Sequence, residues 1–157
     1  KNKRVLNMES LSLAVRLAII FSGIFLWVGM LTGVWKYWQI RASAQARAHY
    51  YVDIAHRSSL LYAPASLILA VLAYFCIWDA TVILMCVILN LVFFSFSILS
   101  YILHGLLKDT TNQFKQPHQI ATRTLPSWCM SQAMLLLIVA ELGGTSVLLL
   151  GAIYGLL

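Results

Sequence analysis

The chain has 157 residues, of which 61% are hydrophobic and only 10% charged, with a formal net charge of +6 and a mean hydropathy of +0.84. Soluble domains carry about 25% charge and about 45–50% apolar residues, so composition excludes a water-soluble domain. The basic residues stand beside apolar runs rather than in a dense stripe, which argues against nucleic acid as a partner, and Cys76, Cys86 and Cys129 lie in apolar segments without a CxxC pair, which argues against a disulfide framework.

Lipid supplies no hydrogen bonds, so a spanning backbone must satisfy itself in helices or a closed barrel. A spanning helix needs about 20 mostly apolar residues. Residues 17–35, 60–78, 80–107 and 128–157 meet that condition, which predicts an all-α polytopic membrane protein with a four-helix antiparallel bundle as its single domain. The basic start and the small residues at 42–48 imitate a secretory leader, but a leader's apolar region is about 7–15 residues, shorter than the uncharged stretch 17–35. Trp35, Trp38, Trp78 and Trp128 fall at segment ends, where indoles sit at headgroup level.

The second and third segments are separated only by the neighbourhood of Asp79 and must form a tight hairpin. Pro64 is expected to kink the second helix, and Pro126 with Ser127 marks the start of the fourth. The connections 36–57 and 108–126 share one side of the membrane, with Lys36, Arg41, Arg47, Arg57, Lys108, Lys115 and Arg123, against Lys1, Lys3, Arg4 and Arg16 opposite. By the positive-inside rule the long connections face the cytoplasm, as in a bacterial inner membrane.

Ionisable groups at membrane depth are costly and mark candidate functional positions. His49, Asp53, His56 and Arg57 follow i, i+4, i+7, i+8 at the start of the second helix, while Asn90, Phe94, Ser97, Tyr101, His104 and Lys108 form a stripe on the third. The hairpin brings these two stretches to similar depth, so His49, His56, Tyr101 and His104 are expected to line one pocket, with Tyr101, Asp53 and Arg57 as the candidate catalytic groups and the histidines as cofactor ligands. Trp35, Tyr37, Trp38, Trp128, Cys129 and Gln132 are placed to rim it. His56 with His104, or a histidine with Tyr101, would ligate a haem between helices. Alternatively His49, Asp53, His56 and His104 would hold a bare transition-metal ion. In the third reading there is no cofactor: Asp53 pairs with Arg57, the histidines join helices, and the chain is a non-catalytic subunit of a larger membrane complex or a homo-oligomer. His118, behind Pro117, reads as a solvated loop residue. Glu141, deep in the fourth segment, is expected to bond Asn90 or pair with Arg16, with a proton-relay role as the alternative. Gly151 and Gly155 form a G-x-x-x-G that permits close helix approach.

Ala46-Arg-Ala-His49, between two apolar helices of which the first carries Gly29 and Gly33, resembles the corresponding stretch of styrene oxide isomerase and, more distantly, hydroxylaminobenzene mutase, small four-helix membrane proteins. The resemblance implies an isomerase acting on a small apolar substrate, a haem b ligated by His49 whose ferric iron acts as a Lewis acid, and Tyr101 as the assisting tyrosine. The family's asparagine six residues after the histidine corresponds to Ala55 here.

Overall fold

The computed structural model describes residues 11–110, 112, 118–120 and 123–157, with residues 118–120, 123–125 and Ser127 described by backbone alone. Four helices are long and apolar enough to cross a membrane. The first, α1 (Leu13–Ala42), starts at Ser12, whose hydroxyl accepts the Val15 amide at 3.4 Å. Next come α2 (Tyr50–Phe75) and α3 (Ala80–Leu107). The fourth crossing is α4 (Ser127–Ile138) and α5 (Gly144–Leu156), joined without a break by a single π-helical turn, Val139–Gly143. The chain is thus an all-α, multi-pass membrane protein.

Both α1 and α2 run past their apolar cores on the side of the long connections, α2 starting at Tyr50 as the helical spacing of residues 49–57 predicts. Residues 36–42 belong to α1 and 50–57 to α2, so the first connection is only residues 43–49 and not 36–57. Near the headgroups the backbone still prefers to bond itself, and Lys36 and Arg41 can extend their charges outward while their stems stay in apolar surroundings. Helix α2 remains helical through Pro64. Inside the polar connection 108–126 lies a two-stranded antiparallel hairpin, β1 (His118–Ile120) and β2 (Arg123–Leu125), with His118 opposite Leu125. Lys1, Lys3, Arg4 and Lys115, and the side chains of His118 and Arg123, lie outside the described residues.

Small residues set the helix spacing. The most extensive pairing is α1 with α2, where Gly29 faces Leu60 and Gly33 faces the His56 ring. Without a hydrophobic drive between helices in lipid, such close backbone approach supplies the dispersion contacts that hold them together. The α2–α3 hairpin is then clasped by α5: the Trp78 indole N–H donates to the Val147 carbonyl at 2.9 Å and the Ile77 amide to the Gly151 carbonyl at 3.3 Å. Asp79 caps α3 by accepting the Thr81 amide at 2.8 Å, and that bond holds its carboxyl below the usual aspartate pKa. Buried Asn90 donates to the Cys86 carbonyl at 2.9 Å and accepts from the Thr145 hydroxyl at 3.1 Å, tying α3 to α5. Outward, Trp27, Leu61, Ile68 and Leu99 are exposed, as an acyl-chain-facing surface requires.

Candidate functional site

The polar groups of the long-connection end divide into two clusters facing different partners. One is built where α2 begins and α3 ends. His49 occupies the N-cap of α2: its backbone N–H donates to Gln39 Oε1 at 2.8 Å, and its Nδ1 accepts from the Tyr51 amide at 3.4 Å. The turn that delivers it places Ala46 at φ 51°, a left-handed conformation that costs a side-chain-bearing residue about 1–2 kcal/mol.

Across from it, α3 ends at Lys108, also at φ 51°, whose amide donates to the His104 carbonyl at 2.9 Å. This left-handed cap reverses the chain so that Asp109, five residues after His104, returns onto it. The His104 Nδ1 and Asp109 Oδ1 are 2.8 Å apart, with both side chains about 5% exposed. Tyr51 is the hub between the halves: its ring lies 5.2 Å from that of His104, 6.0 Å from Tyr101 in a stacked arrangement, and 6.3 Å from His49.

The partners fix the ring protons. A carboxylate facing His104 Nδ1 accepts a proton there, leaving the lone pair on Nε2; an amide N–H facing His49 Nδ1 requires the lone pair there, leaving the proton on Nε2. His104 therefore has the oriented-imidazole arrangement of a metal ligand or general base, in which a carboxylate fixes the tautomer. His49 has the opposite tautomer. Burial, then the Lys108 ammonium, hold the His49 pKa below the usual histidine value; the Asp109 carboxylate opposes them and His104 adds to the lowering.

A stability dependence on pH follows. Because folded His49 resists protonation, the unfolded chain takes up the proton first as pH falls, so this group costs nothing above about pH 6.5 and destabilises progressively below it. Thermal unfolding in detergent between pH 7.5 and 5 should show the midpoint falling with pH, and His49→Asn, which keeps a good N-cap, should flatten the fall. An equal slope in both proteins would refute the assignment.

The other cluster faces α1. Asp53 pairs with Lys36 at 2.6 Å and with Arg57 at 2.5 Å, an interfacial network spanning α1 and α2. His56 Nδ1 lies 2.8 Å from the Gly29 carbonyl, which accepts its proton, and its ring fills the space beside Gly33. The expected single pocket of His49, His56, Tyr101 and His104 is therefore corrected: His49, Tyr101 and His104 gather around Tyr51, whereas His56, Asp53 and Arg57 turn to α1. Rise along the axis sets depth, but phase decides the partner. Glycines on α1 open a slot that accepts an imidazole, and the Gly29 carbonyl, which also accepts from the Thr32 hydroxyl at 3.0 Å, retains it. Among the described residues no three His, Cys, Asp or Glu side chains form a set able to hold a metal ion, so the bare-ion arrangement on His49, Asp53, His56 and His104 is not assembled.

Sequence periodicity missed Tyr51, Asp109, Gln39 and Lys36. Asp109 lies past the end of α3, off its stripe, and only the left-handed Lys108 brings it back. Glu141 also differs from expectation. The Asn90 amide is committed to Cys86 and Thr145, and Glu141 Oε1 is buried without a hydrogen-bond partner. No family model, curated protein or solved structure matches the chain.

Proposed function

We propose that this multi-pass membrane protein is a haem-binding isomerase or redox protein for a small apolar substrate that enters from the lipid, with His104 as the iron ligand. The observation that carries the reading is the buried His104–Asp109 pair at 2.8 Å: a buried histidine whose Nδ1 proton is held by a carboxylate presents a basic Nε2, the usual condition of an iron-ligating imidazole. The resemblance to styrene oxide isomerase supplies the haem but points to His49, and the proton on His49 Nε2 does not suit that role. When bound, the group would supply a Lewis-acidic iron for an oxygen atom of the substrate.

The chain's own residues define the rest. Asp109 orients His104 and keeps its proton on Nδ1. His49 is neutral near pH 7 and offers an Nε2 proton. Tyr101 contributes a phenol hydroxyl on the same side, and Tyr51 excludes water among them. Asp53, Lys36 and Arg57 brace α1 against α2 rather than take part in chemistry. Lys36, Arg41, Arg47, Arg57 and Lys108 support, by the positive-inside rule, a cytoplasmic position for this end of the bundle in a bacterial inner membrane.

The visible absorption spectrum of protein purified from haem-replete cells tests the reading. A Soret band is expected; its absence overturns haem binding, and elemental analysis then separates a bare metal from a docking subunit of a larger complex. Orientation is tested by reporter fusions at Asn112 and after Leu157, which should report the cytoplasm and the opposite side respectively. Reports from the same side would refute four spans, and reversed reports would refute only the sidedness.

A further inference from the structure

Glu141 stands in the middle of the π-helical turn Val139–Gly143, roughly 20 Å along the fourth crossing from Ser127 at about 1.5 Å per residue. Such single π-turns inside helices are frequent at functional sites. Its Oε1 is buried with no hydrogen-bond partner. A carboxylate in that position is costly without a counter-charge, and none is at hand on the flanking elements: α4 and α5 contain no Asp, Glu, Lys or Arg, and α3 contains only His104 near its end. The Glu141 charge reaches Tyr62 of α2 and Tyr101 of α3, and the π-turn that carries it packs on α3; α4 and α5 add only Cys129 and Tyr154 as titratable side chains.

Between Glu141 and the membrane surface the polar groups form a ladder. Tyr62 of α2 stacks on Phe94 of α3 at 4.3 Å, three residues before Ser97, whose side chain it approaches. Ser97, Tyr101 and His104 recur at spacings of four and three on α3, rises of about 6 and 4.5 Å. Tyr101 stacks on Tyr51, which packs against His104, and His104 is bonded to Asp109. Hydroxyls both donate and accept, so a row of them can hand on a proton that an apolar helix face would stop.

We propose that Glu141 is a proton-binding site inside the membrane that exchanges with the aqueous side bearing Asp109 through the hydroxyls of Tyr62, Ser97 and Tyr101. One proton leaves the Glu141 carboxyl oxygen as the next hydroxyl accepts it and releases its own outward, so no net bond or redox change accompanies the transfer. The site stands independently of haem.

Infrared spectroscopy of the full chain in lipid nanodiscs tests it. The wild type should show the carbonyl band of a protonated carboxylic acid that Glu141→Gln removes and Glu141→Asp keeps at a shifted frequency. In deuterated water the band should shift, and Tyr62→Phe and Tyr101→Phe should each slow that shift about ten-fold, the consequence of a barrier raised by about 1.4 kcal/mol. No Glu141→Gln-sensitive acid band would mean a carboxylate holding a cation and would overturn the proposal. A band that never shifts would mean a sealed structural acid, and an unchanged rate in both tyrosine variants would refute the path. A missing Soret band would refute the haem reading and leave these outcomes untouched.

Discussion

Replacing His104 with Ala should abolish the Soret band, while His49→Asn and His56→Ala should retain it. The reason is tautomeric: of the three histidines, His104 alone combines near-complete burial with a carboxylate on Nδ1, whereas His49 accepts an amide there and His56 donates to the Gly29 carbonyl on another helix pair. Removing the orienting partner should be graded rather than absolute, with Asp109→Ala lowering haem affinity about 10- to 100-fold. Because His104→Ala also removes a buried hydrogen bond to Asp109, a loss of about 1–3 kcal/mol accompanies it. The double variant His104→Phe/Asp109→Leu separates the effects: it should fold and bind no haem. Loss of the band in His49→Asn with retention in His104→Ala would return the ligand to His49. Titration of each apoprotein with haem, followed at the Soret wavelength, gives the affinities.

Gly151→Ala and Gly155→Ala should each destabilise the protein by about 1–3 kcal/mol or more, while Gly143→Ala, at an open position of helical backbone, should be neutral or stabilise by up to about 1 kcal/mol. A Cβ at Gly155 would run into the Phe75 carbonyl oxygen, and one at Gly151 into Cys76 Sγ and the Trp78 ring; at Gly143 it meets nothing within 4 Å. The obstacle at Gly155 is backbone, which cannot rotate away, and it belongs to the hairpin that α5 clasps through Trp78 and Ile77. Steric-trapping or thermal measurements in detergent read the difference. Equal stability of the Gly155 and Gly143 variants would mean that α5 does not dock on the hairpin and that the G-x-x-x-G serves contacts with a second chain.

The amino-acid sequence by itself determined the number of crossings and the tight α2–α3 hairpin, since long uncharged runs can be satisfied in lipid only as helices, and Asp79 is the one break between residues 60 and 107. Residues 80–107 coincide with α3 because apolar content and backbone bonding end together there. It also determined that His49, Tyr101 and His104 share one end of the bundle, because depth follows from rise per residue alone. Tertiary structure decided which neighbours those side chains meet. Rotation about each axis depends on packing, and the Gly29–Gly33 slot on α1 takes His56 away from α3. The His104–Asp109 pair depends on one left-handed residue, Lys108, that no helical spacing encodes. The isolation of Glu141 likewise required three dimensions: Asn90 stands ready for it in the sequence, but its side chain bonds the Cys86 carbonyl and the Thr145 hydroxyl instead, and Glu141 Oε1 has no partner in a medium that offers none.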